Sequence, residues 1–185
     1  MVNLSGQLKA IEAAVKNYSI SQYPGMAGKK ALRFIDDNFR SQSWEGQPWK
    51  RRRNPNAKGN KGRALLVKRG ILRRSFRMQA IGASVRIYTE IKYARVHNEG
   101  FRGVVNIPAH KRRAYGLYQV SSVNTHSTRR IKTETSSGMV RAHTRYMRIP
   151  RRQYMPTPER PSITFNNIIK RQVTLDVMKI AKQFS

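Results

Sequence analysis

Residues 70–100 read GILRRSFRMQAIGASVRIYTEIKYARVHNEG, and the reading of this stretch decides the fold. Val85, Ile87 and Thr89 alternate with Arg86, Tyr88 and Glu90, the period of two that belongs to a half-buried strand. Together with residues 71–79 this gives two strands, over 71–79 and 84–91, joined at Ile81–Ala83 as a hairpin. From Tyr93 the alternation stops, and Glu99-Gly100 closes a short turn or helical turn, since glycine takes backbone angles that other residues avoid.

On the N-terminal side the period changes to that of a helix. Leu4, Leu8, Ile11 and Val15 predict a first amphipathic helix over 5–18 with Ser5 as its N-cap. After a turn through Ser21–Gly25, Met26, Ala31, Phe34, Ile35 and Phe39 predict a second helix over 24–41, with Pro24 suited to its first turn. On the C-terminal side Phe165, Ile168, Ile169, Val173, Ile180, Ala181 and Phe184 predict a last helix over about 165–183. The class is therefore α+β: N- and C-terminal helices packed on a central antiparallel β-sheet.

Two segments do not fit that body. Residues 43–62 hold Trp44, Gly46, Pro48 and Trp49, then a run of Lys, Arg, Asn and Gly with no apolar period, so they form a long loop; loops of this length are contact elements or solvated linkers. Residues 101–146 mix Val, Tyr and Ile with Ser, Thr, Arg and His, which predicts a protruding β-hairpin arm. The expectation is one domain over 1–185 carrying the basic loop 43–62 and the inserted arm 101–146.

Charge marks the same segments. The chain has 38 Lys and Arg against 9 Asp and Glu, a net charge of +29. Residues 1–45 and 161–185 are close to balanced, whereas residues 46–89 hold thirteen basic residues and no acid. Self-repulsion on this scale calls for an anionic partner. Lys50, Arg51, Arg52, Arg53, Lys58, Lys61 and Arg63 in the loop, and Arg112, Arg113, Arg129 and Arg130 in the arm, are the candidate contacts. Trp44 and Trp49 beside the Lys50–Arg53 run offer aromatic faces on which bases could stack. No zinc-finger spacing, RNP signature or KH loop accompanies them, so sequence-specific reading of nucleic acid is unsupported.

Catalytic and metal chemistry find little support. There is no cysteine, which removes disulfides, thiolate nucleophiles and Cys-type zinc sites. His97, His110, His126 and His143 show no metal-ligand spacing, and the His97/Glu99 pair, two residues apart, does not share a helical face. Neither a Gly-x-Ser-x-Gly elbow nor a Walker sequence is present. No enzyme activity and no cofactor are expected. Met1–Ser5 lacks the basic start and apolar core of a signal peptide, and no apolar run approaches the roughly 20 residues of a membrane span, so a cytosolic start without membrane association is expected.

The order of elements is informative as a set. A helix ending in Asn38-Phe39 is followed by Trp44-Glu45-Gly46-Gln47-Pro48-Trp49, then Gly70-Ile71-Leu72-Arg73-Arg74-Ser75-Phe76, a strand pair, Tyr93-Ala94-Arg95-Val96-His97-Asn98-Glu99-Gly100, and later Ile149-Pro150-Arg151-Arg152-Gln153-Tyr154-Met155. This series resembles the phage virion morphogenesis family, the Mu G-like and tail-completion proteins. Its "DG..W", "TG.L..S", "YA..H..G" and "IPAR.F" elements find counterparts here in the same order, with Lys68-Arg69-Gly70 in place of Thr-Gly and Arg152-Gln153 interrupting the last. The matched positions are Trp49, Gly70, Leu72, Ser75, Tyr93, Ala94, His97, Gly100, Pro150 and Arg151, all of an architectural type.

The resemblance implies a structural protein of a tailed-phage virion: a neck or head-tail connector, or a tail-completion or tail-terminator component. It would form a homo-oligomeric ring, hexameric among the candidate stoichiometries, at the head-tail junction or head-proximal tail end after assembly in the host cytoplasm. Its partners would be other neck, connector or tail-tube proteins, with non-specific contact to genomic DNA. The alternative is a basic DNA- or RNA-binding protein without enzymatic activity. Most of the charge is assigned to protein contacts, because an Arg-lined lumen would hold passing DNA too firmly.

Overall fold

The computed structural model describes residues 4–54, 62–121 and 128–184, with backbone alone for Leu4, 114–121 and 128–135. It divides into two compact units, residues 1–101 with 149–185, and residues 102–148. The α+β class holds in the first unit, which contains the four helices of the described residues.

Helix α1 (Leu4–Ser21) runs almost directly into α2 (Tyr23–Ser41), with only Gln22 between them. Ser5 lies inside α1, and the predicted turn over Ser21–Gly25 shrinks to one residue, because Pro24 occupies the first turn of α2 where its missing N–H costs nothing. The stripe of α1 holds at Ile11 and Val15, both half-buried, but not at Leu8, which is 60% exposed, and Tyr18 is the buried anchor. Its hydroxyl donates to Asp176 Oδ2 at 2.8 Å, joining α1 to α4 (Ile163–Lys182). Burial, reinforced by the Asp176 carboxylate, pushes the Tyr18 phenol up to about 12.

Helix α2 is the spine. Ala27, Gly28, Ala31, Phe34, Ile35, Asn38 and Phe39 are its buried face, and Gly28 lets it press on the hairpin that carries Met78, since a Cβ there would stand 2.6 Å from Met78 Sδ. The helix ends at Gln42 in the left-handed region, φ 55°, with its N–H on the Asn38 carbonyl. A miniature hairpin follows, β1 (Ser43–Trp44) against β2 (Gln47–Pro48). Its two turn residues, Glu45 and Gly46, both have positive φ, as two-residue hairpin turns of type I′ demand.

The predicted strand over 71–79 begins later. Residues 71–74 form a turn, with Arg74 N–H on Gly70 O at 3.0 Å and Ser75 N–H on Leu72 O at 3.2 Å, and this turn drives Leu72 into the core. β3 (Arg77–Ile81) then pairs antiparallel with β4 (Ser84–Tyr88) around Gly82, φ 55°. The Tyr93–Gly100 stretch is helix α3 (Ala94–Glu99), ended by Gly100 at φ 81°.

The antiparallel strands are distributed over four two-stranded sheets and not gathered into one central sheet. Each strand pairs with the one folded back on it, and the β3–β4 hairpin lies against α2 with Met78 and Val85 beside Gly28. The core accordingly gathers around side chains of loops and helices: Ile35, Phe39, Trp49, Leu72, Ala94 and Tyr154.

In the second unit β5 (Phe101–Ile107) pairs with β8 (His143–Ile149), and β6 (His110–Ser121) pairs antiparallel with β7 (Thr128–Val140). The ladder slips at Ala114/Tyr115, a bulge-type irregularity. The inserted segment of the sequence is thus a ribbon of nested strand pairs. One cross-strand bond within it joins Arg102 Nε to the Tyr146 hydroxyl at 2.6 Å.

Candidate functional site

The segment Arg151–Met155 is the point on which the first unit closes. Arg152, Gln153 and Tyr154 are buried in succession, and a buried run without secondary structure must find its hydrogen bonds elsewhere. Asn98 supplies them from α3. Its Oδ1 accepts from Tyr154 N–H at 2.9 Å and Met155 N–H at 3.0 Å, and its Nδ2 donates to Met155 O at 3.1 Å. Asn38 Nδ2 donates to Tyr154 O at 3.1 Å, and Trp49 Nε1 to Gln153 O at 2.8 Å. Two asparagines and one indole thus satisfy a segment distant from all of them in sequence.

Apolar packing completes the node. The Tyr154 ring stacks on Phe39 with centroids 4.9 Å apart, and its hydroxyl donates to Ala94 O at 2.6 Å. Burial raises its phenol well above the ordinary tyrosine value. Trp49 meets Phe39 edge-on at 5.6 Å. Gly100 has no room for a side chain, because a Cβ would stand 3.0 Å from Arg151 N. Just before it, His97 O accepts from Arg152 N–H at 2.9 Å. The two points where the chain leaves this unit and returns to it are therefore held side by side.

The motif positions fall on this node or its border. Trp49, Leu72 and Ala94 are core residues, and Gly100 is packed against Arg151. Ser75 donates to Leu72 O at 2.8 Å and shares a 2.6 Å hydrogen bond with Thr89, fixing the start of the β3–β4 hairpin. Gly70 has φ 68°. Tyr93 stands edge-on to the His97 ring at 5.8 Å. Pro150 is half-buried and Arg151 exposed. His97 Nδ1 is buried with no hydrogen-bond partner, and burial first, then the Arg152 charge, hold the imidazole below its ordinary value.

The basic loop is less free than its composition suggests. Trp49 is 6% exposed and engaged, and Trp44 is half-buried with its ring 5.7 Å from Phe34. The expectation that the two indoles present stacking faces is corrected: the neighbouring apolar core claims them. Arg52 is half-buried and spans the loop, donating to Arg63 O at 2.6 Å and Ala64 O at 2.9 Å. Arg152 Nε donates to Lys50 O at 3.0 Å from beneath. Lys50, Arg51, Arg53 and Arg63 are exposed, and Arg51, Arg52 and Arg63 border an open cleft of about 500 Å³ floored by Trp49. Lys58 and Lys61 lie outside the described residues; of Arg129 and Arg130 only the backbone is described. Arg112 and Arg113 are exposed on β6.

Sequence reasoning missed the anchors of the helices. Glu45, at the tip of the β1–β2 turn, accepts from Ser162 Oγ and from Thr164 Oγ1 at 2.6 Å, while Ser162, fully buried, accepts from Phe165 N–H at 2.9 Å and caps α4. Burial alone would raise the Glu45 carboxyl, but these hydrogen bonds outweigh it and hold it below the ordinary range. Asp36 is gripped by the Arg73 guanidinium through two bonds and by Arg40 at 2.8 Å; the Arg73 bond is the main reason its carboxyl is lowered. The Ser162-x-x-Phe165 cap carried a signal in its serine; the Glu45 and Asn98 contacts, 117 and 56 positions apart from their partners, carried none.

A model of the phage virion morphogenesis family matches residues 26–174. The chain belongs to the phage virion morphogenesis family. Its matched span runs from α2 through the ribbon and into α4, and so includes the node and every motif position. This is a family of virion structure and assembly, which places the chain among the proteins that build bacteriophage particles. Comparison with curated proteins and with solved structures returns no significant match. Among the described residues no group of three His, Cys, Asp or Glu side chains could hold a metal ion, and no helix is long and apolar enough to cross a membrane.

Proposed function

We propose that this protein is a non-enzymatic neck or tail-completion component of a tailed-phage virion, acting as a homo-oligomeric ring where head and tail join. The single observation that carries this reading is the family match over residues 26–174. The geometry supports it in a second way. The motif residues are spent on packing, on turns and on holding the ends of an insertion, which is what a scaffold requires and a catalyst does not. Shape and valency supply the mechanism: copies related by rotation meet through unlike surfaces, and closure of the ring limits their number. On this reading the whole chain, 1–185, is one assembly domain in which the loop 43–62 and the inserted ribbon reach other virion components.

The test is a phage with a nonsense mutation in this gene. Unjoined heads and tails should accumulate, and added full-length protein should restore infectious particles. Normal joining without the protein would overturn the reading. It would also favour the second one, a free nucleic-acid-binding protein, for which the observation is the charge of +29.

A further inference from the structure

The ribbon, residues 102–148, carries ten Lys or Arg and a single acid, Glu134. Arg102, Lys111, Arg112, Arg141, Arg145 and Arg148 are all exposed, and they occupy three of its four strands and the link between the β6–β7 and β5–β8 pairs. Across the β6–β7 ladder the cations face neutral residues: Lys111 stands opposite Met139 and Arg112 opposite Gly138, while Arg130 stands opposite Gln119 and Arg129 opposite Val120. Glu134 is opposite Tyr115, so no register position sets a carboxylate against a cation.

A second copy of the chain cannot neutralise this surface. Of the nine Asp and Glu, Asp36, Asp37, Glu45, Glu99 and Asp176 are engaged within the chain, with Arg73 and Arg40, Arg33, Ser162 and Thr164, Arg95, and Tyr18 and Gln172 respectively. The other four, Glu12, Glu90, Glu134 and Glu159, sit in four different segments. With nine acids against 38 Lys and Arg in every copy, a second copy adds more positive charge than it removes, which favours a different polyanion.

The form of the ribbon selects among polyanions. Protein interfaces deplete charge at their centres and concentrate aromatic and apolar residues there; here Val104, Met139 and Tyr146 are exposed singly, and charge of one sign recurs among them. Charge of that kind is the footprint of phosphate neutralisation. A two-stranded antiparallel ribbon is also, besides the helix, the element that the major groove of duplex DNA, about 12 Å wide, admits. We infer that the ribbon is a sequence-independent contact for the backbone of duplex DNA. This deepens the virion reading, which supplies the DNA, but it is measured separately from it.

The experiment uses the full-length protein and a fluorescent duplex of arbitrary sequence, with binding followed by anisotropy across a salt series. The ribbon variant carries Lys111→Gln, Arg112→Gln, Arg145→Gln and Arg148→Gln. A control removes the same charge from the exposed face of α4, with Lys170→Gln, Arg171→Gln, Lys179→Gln and Lys182→Gln. Thermal unfolding confirms that both fold. If each ribbon cation meets one phosphate, the slope of log affinity against log salt becomes shallower by about 3 to 4 in the ribbon variant and changes little in the control. Equal changes in the two variants, or none in either, overturn the inference. A polyglutamate peptide that displaces the duplex at equal charge concentration also overturns it and points to an acidic protein. Particle joining reads out the virion role independently: a nonsense mutant that joins normally removes that role and leaves the anisotropy result standing.

Discussion

The two units use charge and polarity in opposite ways. In the first, polar groups are consumed by architecture: Asp36 ties Arg73 to the spine helix, Glu45 holds the start of α4, and Asn98 satisfies the backbone of Tyr154 and Met155. In the ribbon, Lys111 and Arg112 are exposed and stand opposite Met139 and Gly138 in the ladder, where no carboxylate takes them up. The contrast teaches that the +29 is not one property. Part of the basic complement, Arg52, Arg73 and Arg152, is structural, and it lies among residues that composition alone would count as binding surface.

Breaking the contrast from the side of the first unit gives the largest expected effect. Tyr154→Ala removes a fully buried ring that stacks on Phe39, and should cost about 3–5 kcal/mol in urea unfolding. Met139→Ala in the ribbon, at a side chain 71% exposed, should stay within about 0.5 kcal/mol. Equal costs would mean that the ribbon has a core of its own.

Asn98→Ala should come next. It leaves the Tyr154 and Met155 amides without their acceptor, a loss of about 1–3 kcal/mol per buried group, whereas Asn98→Asp keeps the acceptor and should recover part of it. Identical losses for the two variants would show that side-chain volume and not hydrogen bonding holds the node.

The smallest effect is a matter of pH. Because burial and Arg152 depress the His97 imidazole in the folded protein, the unfolded chain binds its proton first. That contribution to stability is complete above the ordinary histidine value, about 6.5, and is lost as pH falls below it. Between about pH 7 and about pH 5 wild-type stability should therefore drop, and His97→Gln should flatten that part of the profile. An unchanged slope would assign the loss to other groups.

Much of the body was legible from local pattern. The apolar period of α2, the Val85/Ile87/Thr89 alternation and the glycine after Glu99 each report on a few neighbouring residues, and each element formed close to its expected place. Errors came where a neighbour distant in sequence decided the outcome. Residues 71–74 have the local pattern of a strand but form a turn, because Leu72 is drawn into a core made by Phe39, Trp49 and Tyr154. Leu8 fits the α1 stripe by spacing, yet Tyr18 took the buried position through its bond to Asp176. Trp49 looked like a stacking face beside a basic run, and Gln153 and Phe39 claimed it.

By itself the sequence determined the class, the order of helices and hairpins, the family series and the segregation of charge, because periodicity, turn chemistry and net charge are properties of the chain read along its length. Which cations are structural, which carboxylates are engaged and how Arg151–Met155 is buried were decided only by the tertiary structure. Those outcomes rest on single hydrogen bonds and ring contacts between residues dozens to more than a hundred positions apart, and no local pattern encodes such a meeting.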